Sequence, residues 1–346
     1  MPVEERQMSA AGERLRVVSG PSVRSAVFET FWSFAAERHA VFERRLAGEP
    51  APWTNNPIIS NHRFCNSFRA ADRVTQELVA VAYADPSQHP ENVFLRTVCF
   101  RLFSRPETWR LIENEVGPLS AATFDPDRLG DRLEAAQTEG AKLYTGAFIL
   151  CADAAYGHRR KHRNHLSLLE AMLAAELPAQ VAAAESLGAV YELLLTWPLI
   201  GPFMAYQLAT DLNYTTIIDF DENEFTVPGP GALRGIAKVF HVLGDLDPPA
   251  AIQWLVDYQE RCEIELGIRP PRLFGRALHA IDVQNLLCEV DKYSRVAFPE
   301  LRSNRSRIKQ RFVPDPALLP LTFPPKWELQ IPAEMGAADS LTLPCH

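Results

Sequence analysis

The chain has 346 residues, of which 47% are hydrophobic, and a formal net charge of −8. This length admits one large domain or two ordinary ones, and the hydrophobic content is sufficient for a substantial core. A negative net charge is the wrong sign for a protein that coats DNA, so any surface for nucleic acid must be local. No apolar run reaches roughly 18 residues, so we expect no membrane-spanning helix.

Six cysteines are scattered along the chain without any CxxC pair. This spacing argues against structural zinc and against a four-cysteine iron–sulfur loop, and it indicates a reducing compartment. The first residues, Met1 to Glu5, have neither a basic start nor an apolar stretch, so no secretory signal is expected. We therefore expect a cytoplasmic monomer without a bound metal or organic cofactor.

Helical periodicity dominates the chain, and strand-like alternation is nearly absent. After a loose tail at 1–20, the spacing of Phe28, Phe31, Ala35 and Phe42 predicts a helix over 22–47. The same periodicity predicts helices at 62–83, 91–103, 167–183, 185–196, 202–212, 231–243, 249–266 and 275–296. Seven prolines follow Phe312, so residues 313–346 should be extended or disordered. The pattern predicts one all-α body over 21–312 between two tails.

Three polar segments interrupt this apolar pattern. The first is Pro52-Trp53-Thr54-Asn55-Asn56-Pro57, followed by a stripe at helical spacing formed by Asn66, Arg69, Arg73 and Gln76. The second is Asp219-Phe220-Asp221-Glu222-Asn223-Glu224, which precedes Pro228-Gly229-Pro230-Gly231. The third runs from Asp282 to Tyr293, where Asp282, Asn285, Glu289 and Lys292 share one helical face.

Between two predicted helices lies a short turn, Trp197-Pro198-Leu199-Ile200-Gly201-Pro202-Phe203-Met204-Ala205, and Asp221 stands twenty residues after its glycine. This layout resembles the helix-hairpin-helix DNA glycosylases, in which hairpin backbone N–H groups hold a DNA phosphate and an aspartate follows near the sugar of an extruded nucleotide. The resemblance implies an all-α, glycosylase-like helical bundle with a DNA cleft. One position departs from the pattern, because such hairpins usually carry glycine where Leu199 stands.

The polar segments together narrow this resemblance to a divergent group found in hypermodified-DNA systems. Residues 27–298 are similar to the alpha-glutamyl/putrescinyl-thymine pyrophosphorylase group and to the helical domain of 5-hydroxymethyluracil DNA kinases. They are also similar to an anti-phage glycosylase that removes glucosylated hydroxymethylcytosine. The sequence contains no GxxxxGK[ST], so the phosphate-cradling loop of the kinase members is missing, and we expect no phosphorylation by a P-loop mechanism.

Asp221 is the first candidate for a catalytic carboxylate, and Asp219 is the second. Cleavage of an N-glycosidic bond builds positive charge on the sugar, which a nearby carboxylate stabilises while it orients water. Either aspartate could instead cap a turn. Bifunctional members of the superfamily carry a lysine two residues after the hairpin glycine for Schiff-base attack. Phe203 occupies that position here, which favours a monofunctional enzyme.

An extruded base needs a pocket that reads its edge and stacks on its ring. The candidate pocket residues are polar or aromatic and lie in the first and third segments: Asn66, Arg69, Asp282, Asn285, Glu289, Lys292 and Tyr293. The alternative is a buried polar network that ties the N-terminal and C-terminal helices together. For Lys292, an ion pair with Glu289 is the simpler role.

Two basic clusters supply local positive charge for double-stranded DNA that carries modified bases. One spans 158–165 and contains Arg159, Arg160, Lys161 and Arg163, and the other spans 302–311 and contains Arg305 and Arg307. Either cluster could also be a solvated charged face. Gly201 and Phe203 of the hairpin should hold one further phosphate, with a monovalent cation as a candidate ligand of the hairpin carbonyls.

The main functional expectation is a monofunctional DNA N-glycosylase, a hydrolase that excises a hypermodified pyrimidine and leaves an abasic site in anti-phage defence. The favoured base is glucosylated hydroxymethylcytosine. One alternative is a transferase that replaces a pyrophosphate on a hydroxymethyl pyrimidine with an amine, where Asp219, Asp221, Glu222 and Glu224 would hold Mg²⁺ on the diphosphate. The other alternative is a non-catalytic module that binds modified DNA.

Overall fold

The computed structural model describes residues 20–145, 154–301, 303–308, 310–314 and 321–332. The described chain is almost entirely helical, which confirms the all-α prediction. The helices are α1 Ser25–Leu46, α2 Pro57–Asn61, α3 Arg73–Ala82, α4 Pro90–Phe103, α5 Pro106–Val116, α6 Pro126–Thr138, α7 Lys161–Ala174, α8 Leu177–Ala182, α9 Leu187–Leu195, α10 Pro202–Asn213, α11 Pro230–Val239, α12 Pro248–Leu266 and α13 Ala280–Ala297.

Proline at the first position is a common way for these helices to begin, because the ring fixes a helical φ and removes an N–H that would have no partner there. The side chains of Asn56, Asp125 and Asp247 cap α2, α6 and α12 by accepting hydrogen bonds from backbone N–H groups of the first turn. Helices α5 and α6 carry such signals but were not among the predicted helices.

The predicted helix over 62–83 is wrong in its first half. Residues 62–68 are not helical, Arg69–Ala71 forms one 3-10 turn, and α3 begins only at Arg73. The backbone N–H groups of this loop are satisfied by side chains distant in sequence: Cys65 N donates to Glu289 (3.1 Å) and Arg69 N donates to Asp282 (2.7 Å). The polar stripe drawn from Asn66 to Gln76 on a single helix therefore does not exist.

The predicted helix over 231–243 also ends early, at Val239. The next residues form strand β2, Phe240–Val242, which pairs antiparallel with β1, Ser22–Val23. Beside this pair, aromatic side chains of α1 and α12 form one part of the core: Phe28 packs on Tyr258 at 4.7 Å between ring centroids, and Trp254 stacks on Tyr258 at 5.3 Å.

Helices α11 and α13 approach each other closely because α11 presents glycines to its partner. A Cβ at Gly235 would lie 2.1 Å from the carbonyl oxygen of Leu287, and one at Gly231 would lie 2.2 Å from Sγ of Cys288. No side chain fits in such a space. The glycines of this segment therefore fix the packing of α11 on α13.

A late segment, residues 321–332, packs against the loop that follows α10. The ring of Trp327 meets Tyr214 edge-on at 5.1 Å, and the guanidinium of Arg276 lies 3.8 Å from the Trp327 ring centroid. Lys326 donates to the carbonyl of Ile218 (2.7 Å) and pairs with Asp219 (3.0 Å). This part of the proline-rich region holds residues more than a hundred positions earlier.

Candidate functional site

Helices α9 and α10 flank the short turn that the sequence analysis interpreted as a hairpin. Leu199 adopts φ +68, a left-handed conformation that favours glycine, and its side chain packs against the core. Gly201 precedes α10 with an extended conformation, and Gly201, Pro202 and Phe203 are exposed. The DNA contact of this turn, and the monovalent cation on its carbonyls, remain predictions.

The four acidic side chains after α10 have separate partners. Asp221 is exposed and accepts a hydrogen bond from Asn223 N (2.9 Å), which is a turn cap, while Asp219 pairs with Lys326. Buried Glu222 pairs with Arg276 (2.5 Å), and Glu224 accepts from Leu187 N (2.7 Å). Within the described ranges, no group of three or more His, Cys, Asp or Glu side chains could hold a metal ion.

Three of the predicted pocket residues are buried, namely Arg69, Asp282 and Glu289, and the first two belong to one group in the interior. Arg69 is 3% exposed, and its guanidinium shares the fully buried carboxylate of Asp211 with Arg101. Burial opposes the charge of Arg69, but the attraction and hydrogen bond of Asp211 outweigh it, so the pKa of Arg69 is raised. Asp282 is 4% exposed and accepts from the backbone N–H groups of Arg69 and His279. The positions of both residues favour the alternative given above, a buried polar network that ties helices together, over a pocket for a base.

A second group surrounds the exposed loop residue Cys65, and we name it the α13 cluster: Arg38, Cys65, Asn66, Asp72, Glu289 and Lys292. Lys292 pairs with Glu289 at 2.5 Å, and Asp72 accepts from Asn66 N at 2.8 Å. Burial raises the pKa of Asp72 to about 6, although the hydrogen bond from Asn66 N opposes this. Asn285, one turn before Cys288 on the same helix, accepts from Gln284 (3.2 Å).

In this cluster, carboxylates and cations meet just below the surface: Glu289 is 4% exposed, whereas the side chain of Lys292 is 25% exposed. Burial lowers the pKa of Arg38, whereas for Lys292 the attraction of Glu289 outweighs burial and the pKa is raised. Perturbed titratable groups of both signs at one place are typical of reaction centres, although structural ion pairs also perturb pKa values. The sequence analysis found Asn66, Glu289 and Lys292 but missed Arg38 and Asp72.

Beside the α13 cluster, a cavity of about 760 Å³ opens between α1, the Pro52–Asn56 segment and α13. Tyr293, the last predicted pocket residue, lines it and accepts a hydrogen bond from Asn56 (2.9 Å). Glu37 also lines it and takes hydrogen bonds from Thr54 (2.6 Å) and Arg44 (3.2 Å), both on Oε1. The polar Trp53–Asn56 run, which the sequence analysis noted only as part of the family resemblance, also lines this cavity, and Glu37 and Arg44 were missed.

The two basic clusters differ in how many of their basic side chains form ion pairs with acidic side chains. On α7, Arg160 pairs with Glu134 (3.0 Å), and Arg163 pairs with Asp131 (2.5 Å) and Glu134 (3.0 Å). Arg159 is exposed, and the Lys161 ammonium lies 4.5 Å from the ring centroid of Tyr144. Arg305 and Arg307 are exposed, and no ion pair with a described residue is found for either.

We therefore expect the two clusters to respond differently to charge reversal. Replacing Arg305 and Arg307 by glutamate should weaken binding to any DNA duplex and reduce the salt slope of log K by roughly two, one unit for each lost phosphate contact. The matched pair Arg160→Glu and Arg163→Glu should leave the slope unchanged. Fluorescence anisotropy at several salt concentrations measures both, and equal slopes for the two double variants would contradict this assignment.

No helix in the described part of the chain is long and apolar enough to cross a membrane.

Comparison with known proteins gives two positive findings. A family model described as "5-hmdU DNA kinase, helical domain" matches residues 25–303. The chain is also 25% identical over 313 residues to a 5-hmdU DNA kinase of Bacillus phage SP10, across 84% of this chain and 48% of that protein. The chain thus spans about half the length of this relative. No solved structure matches.

These findings contradict the glycosylase prediction. The similar phage protein is named a kinase, which transfers a phosphoryl group, and not a hydrolase that removes bases. The expectation of a monofunctional N-glycosylase that leaves an abasic site is therefore wrong. Asp221 and Asp219 were expected to stabilise a sugar cation only as part of that reaction, so this role no longer applies. The match instead favours enzymes that add to a modified base, in line with the transferase alternative. Because it covers residues 25–303, well over half of the sequence, the chain belongs to the family of 5-hmdU DNA kinase helical domains.

Proposed function

We propose that this protein is a transferase that acts on the 5-substituent of a hydroxymethyl pyrimidine in double-stranded DNA. The observation that carries the proposal is the family match over 25–303, which includes the hairpin, the α13 cluster and the wall of the cavity. The hairpin and the exposed arginines at 305 and 307 would contact the DNA backbone. The modified base would be extruded to the α13 cluster, since a base inside the duplex is out of reach.

The chemistry that fits this cluster is displacement at the exocyclic methylene carbon. An amine nitrogen attacks this carbon, the carbon–oxygen bond breaks, and pyrophosphate leaves with the bonding electrons. The ammonium formed then gives its surplus proton to a carboxylate, for which Glu289 and Asp72 are the candidates. The guanidinium of Arg38 and the ammonium of Lys292 would stabilise the negative charge on the leaving group.

A transfer reaction also needs space for its second substrate, and the cavity beside Tyr293 offers it. No contact with a described residue is found for Oε2 of Glu37 or for the amide of Asn55, and the Glu49 side chain is exposed at the rim. These acceptors suit the N–H groups of an incoming neutral amine, whose lone pair stays free for attack, and the ring of Tyr293 adds an aromatic face. We assign the cavity to the amine on this basis.

The test is a nucleoside analysis. A duplex that contains pyrophosphorylated 5-hydroxymethyldeoxyuridine is incubated with the protein and a primary amine, digested, and examined by mass spectrometry. We expect an amine-bearing nucleoside, released pyrophosphate and no free base, whereas a thymidine duplex should remain unchanged. Free base would contradict the proposal and restore base excision. Selective binding without any change of the nucleoside would point to the non-catalytic module.

Two variants locate the reaction within the site. Glu289→Gln keeps an oxygen for Cys65 N but loses the negative charge, so the rate should fall by about a hundredfold or more, as for comparable electrostatic groups. Asn55→Ala should raise the KM for the amine and leave the KM for DNA unchanged. Glu170→Gln, at an exposed position on α7, is the matched control. A Glu289→Gln variant that is folded, as judged by its thermal transition, and fully active would exclude the α13 cluster.

A further inference from the structure

One buried carboxylate on α13, Asp291, is surrounded by more cations than it can neutralise. Arg234 Nε lies 3.0 Å and Arg295 Nη2 lies 2.5 Å from Oδ2, and Lys238 Nζ lies 3.0 Å from Oδ1. Asp291 has no exposed side-chain surface, and the side chains of Lys238 and Arg295 are nearly buried. Three positive charges therefore face one negative charge.

The helix ends reduce this excess but do not remove it. Lys238 lies in the last turn of α11 and Arg295 in the last turn of α13, where each helix carries roughly half a negative charge from its unpaired carbonyls. Roughly one positive charge then remains. No ion pair between these three cations and another acidic side chain is found in the described ranges. An isolated charge at a partly buried position is costly unless an anion reaches it.

Arg234 is the member of the group through which an anion would approach. Its side chain is 21% exposed, whereas those of Lys238 and Arg295 are 5% and 7% exposed. Asp291 holds its Nε, and its two terminal amino groups make no hydrogen bond with any described residue and are not buried. A guanidinium anchored in this way presents two parallel N–H donors, the geometry that phosphate oxygens accept.

Contacts within the protein also connect Arg234 to both surfaces predicted to meet DNA. Arg234 lies one turn after the start of α11, where a Cβ on Gly229 would stand 3.0 Å from the Phe203 ring of the hairpin. On the other side, Arg295 Nη1 donates to the carbonyl of Arg307 (3.1 Å). The Asp291 group therefore joins the hairpin to the segment that carries Arg305 and Arg307.

We propose that Arg234, oriented by Asp291, binds a backbone phosphate of the DNA between the contacts of the hairpin and those of Arg305 and Arg307. This inference rests on the proposed function in one respect only, namely that DNA is the substrate. It adds one phosphate contact from α11 and makes the two predicted DNA surfaces parts of one continuous track. Asp291 acts as a positioning residue, since the phosphate would contact Arg234 and not the carboxylate.

The experiment measures how the affinity of the full chain for an unmodified duplex changes with salt. Arg234→Gln should lower the affinity and reduce the slope of log K against log salt by about one unit. Arg234→Lys keeps the charge but loses the paired donors, so the slope should stay near that of the parent while the affinity falls. The matched control is Arg128→Gln, because Arg128 also donates its Nε to a carboxylate, that of Glu115 (2.8 Å).

The outcomes separate this inference from the proposed reaction. A folded Arg234→Gln variant with the parent's affinity and slope would overturn the inference, even if nucleoside transfer is observed. The expected slope change would support it, even if no transfer occurs. If the parent chain binds no duplex at low salt, both proposals fail. Thermal transitions of all variants establish folding, and Lys238 and Arg295 still neutralise Asp291 when Arg234 is replaced.

Discussion

Replacing Asp211 with asparagine should reduce the free energy of unfolding by about 3–5 kcal/mol, the usual cost of removing one partner from a buried ion pair. Asp211 is fully buried and holds two arginines, Arg69 and Arg101, which are 3% and 1% exposed. Without the carboxylate, two guanidinium charges would remain in the interior with only neutral acceptors. Burial lowers the pKa of Arg101 even beside Asp211, and the pKa of Arg69 is raised only because Asp211 offsets its burial, so both charges depend on this carboxylate.

Urea unfolding followed by circular dichroism would measure this loss. The control is Asp131→Asn, because Asp131 also pairs with an arginine, Arg163, but its side chain is 78% exposed. Water screens such a pair, so the control should lose no more than about 1 kcal/mol. A comparable small loss in the Asp211 variant would show that the two arginines find other partners or release their charge to water.

Gly235→Ala should be the most disruptive of the small substitutions. Alanine raises helix propensity by about 1 kcal/mol over glycine, which favours the variant. The new methyl carbon, however, would lie 2.1 Å from the carbonyl oxygen of Leu287 on α13, so the two helices would have to separate. Overpacking typically costs about 1–3 kcal/mol, and here the clashing atom belongs to backbone that cannot rotate away. We therefore expect a net loss of stability and a lower thermal transition.

Gly130→Ala is the matched helical control for this effect. Its methyl carbon would lie 2.7 Å from Nη1 of Arg163, which is the far end of a flexible side chain. Rotation of that arginine relieves the contact, so the thermal transition of this variant should stay close to that of the parent. Should Gly235→Ala prove as stable as Gly130→Ala, the close approach of α11 and α13 described above would be incorrect.

Local sequence patterns predicted most of the helical body, although not α5 and α6, and they failed for the loop that enters the α13 cluster. Residues 62–72 have helical spacing, yet the N–H groups of Cys65 and Arg69 are held by Glu289 and Asp282, more than two hundred positions away. A helix would satisfy those groups locally, and nothing nearby in sequence shows that distant carboxylates replace it. At position 199 the hairpin pattern expects glycine, yet Leu199 adopts the left-handed φ. The residue type there did not reveal the backbone conformation.

The sequence predicted which residues belong to the candidate site better than it predicted where their side chains lie. The third polar segment correctly brought Glu289 and Lys292 together, since residues three apart on a helix are neighbours. Helical spacing alone could not show that Asp282 is buried while the Lys292 side chain is partly exposed, because the exposure of each side chain depends on the elements that pack on α13. Asp221 was chosen from its distance to Gly201, and sequence distance carries no information on exposure or on the turn that it caps.

The packing of Trp327 and Lys326 against the loop after α10 has a consequence for the order of events during synthesis. Ile218 and Asp219 leave the ribosome about a hundred residues before Lys326, whose side chain holds both of them in place. Domains fold largely as their chain emerges, at about 5–20 residues per second. For several seconds the nascent chain would therefore carry α9 and α10 beside an unanchored acidic loop, until residues 321–332 emerge and complete this side of the protein.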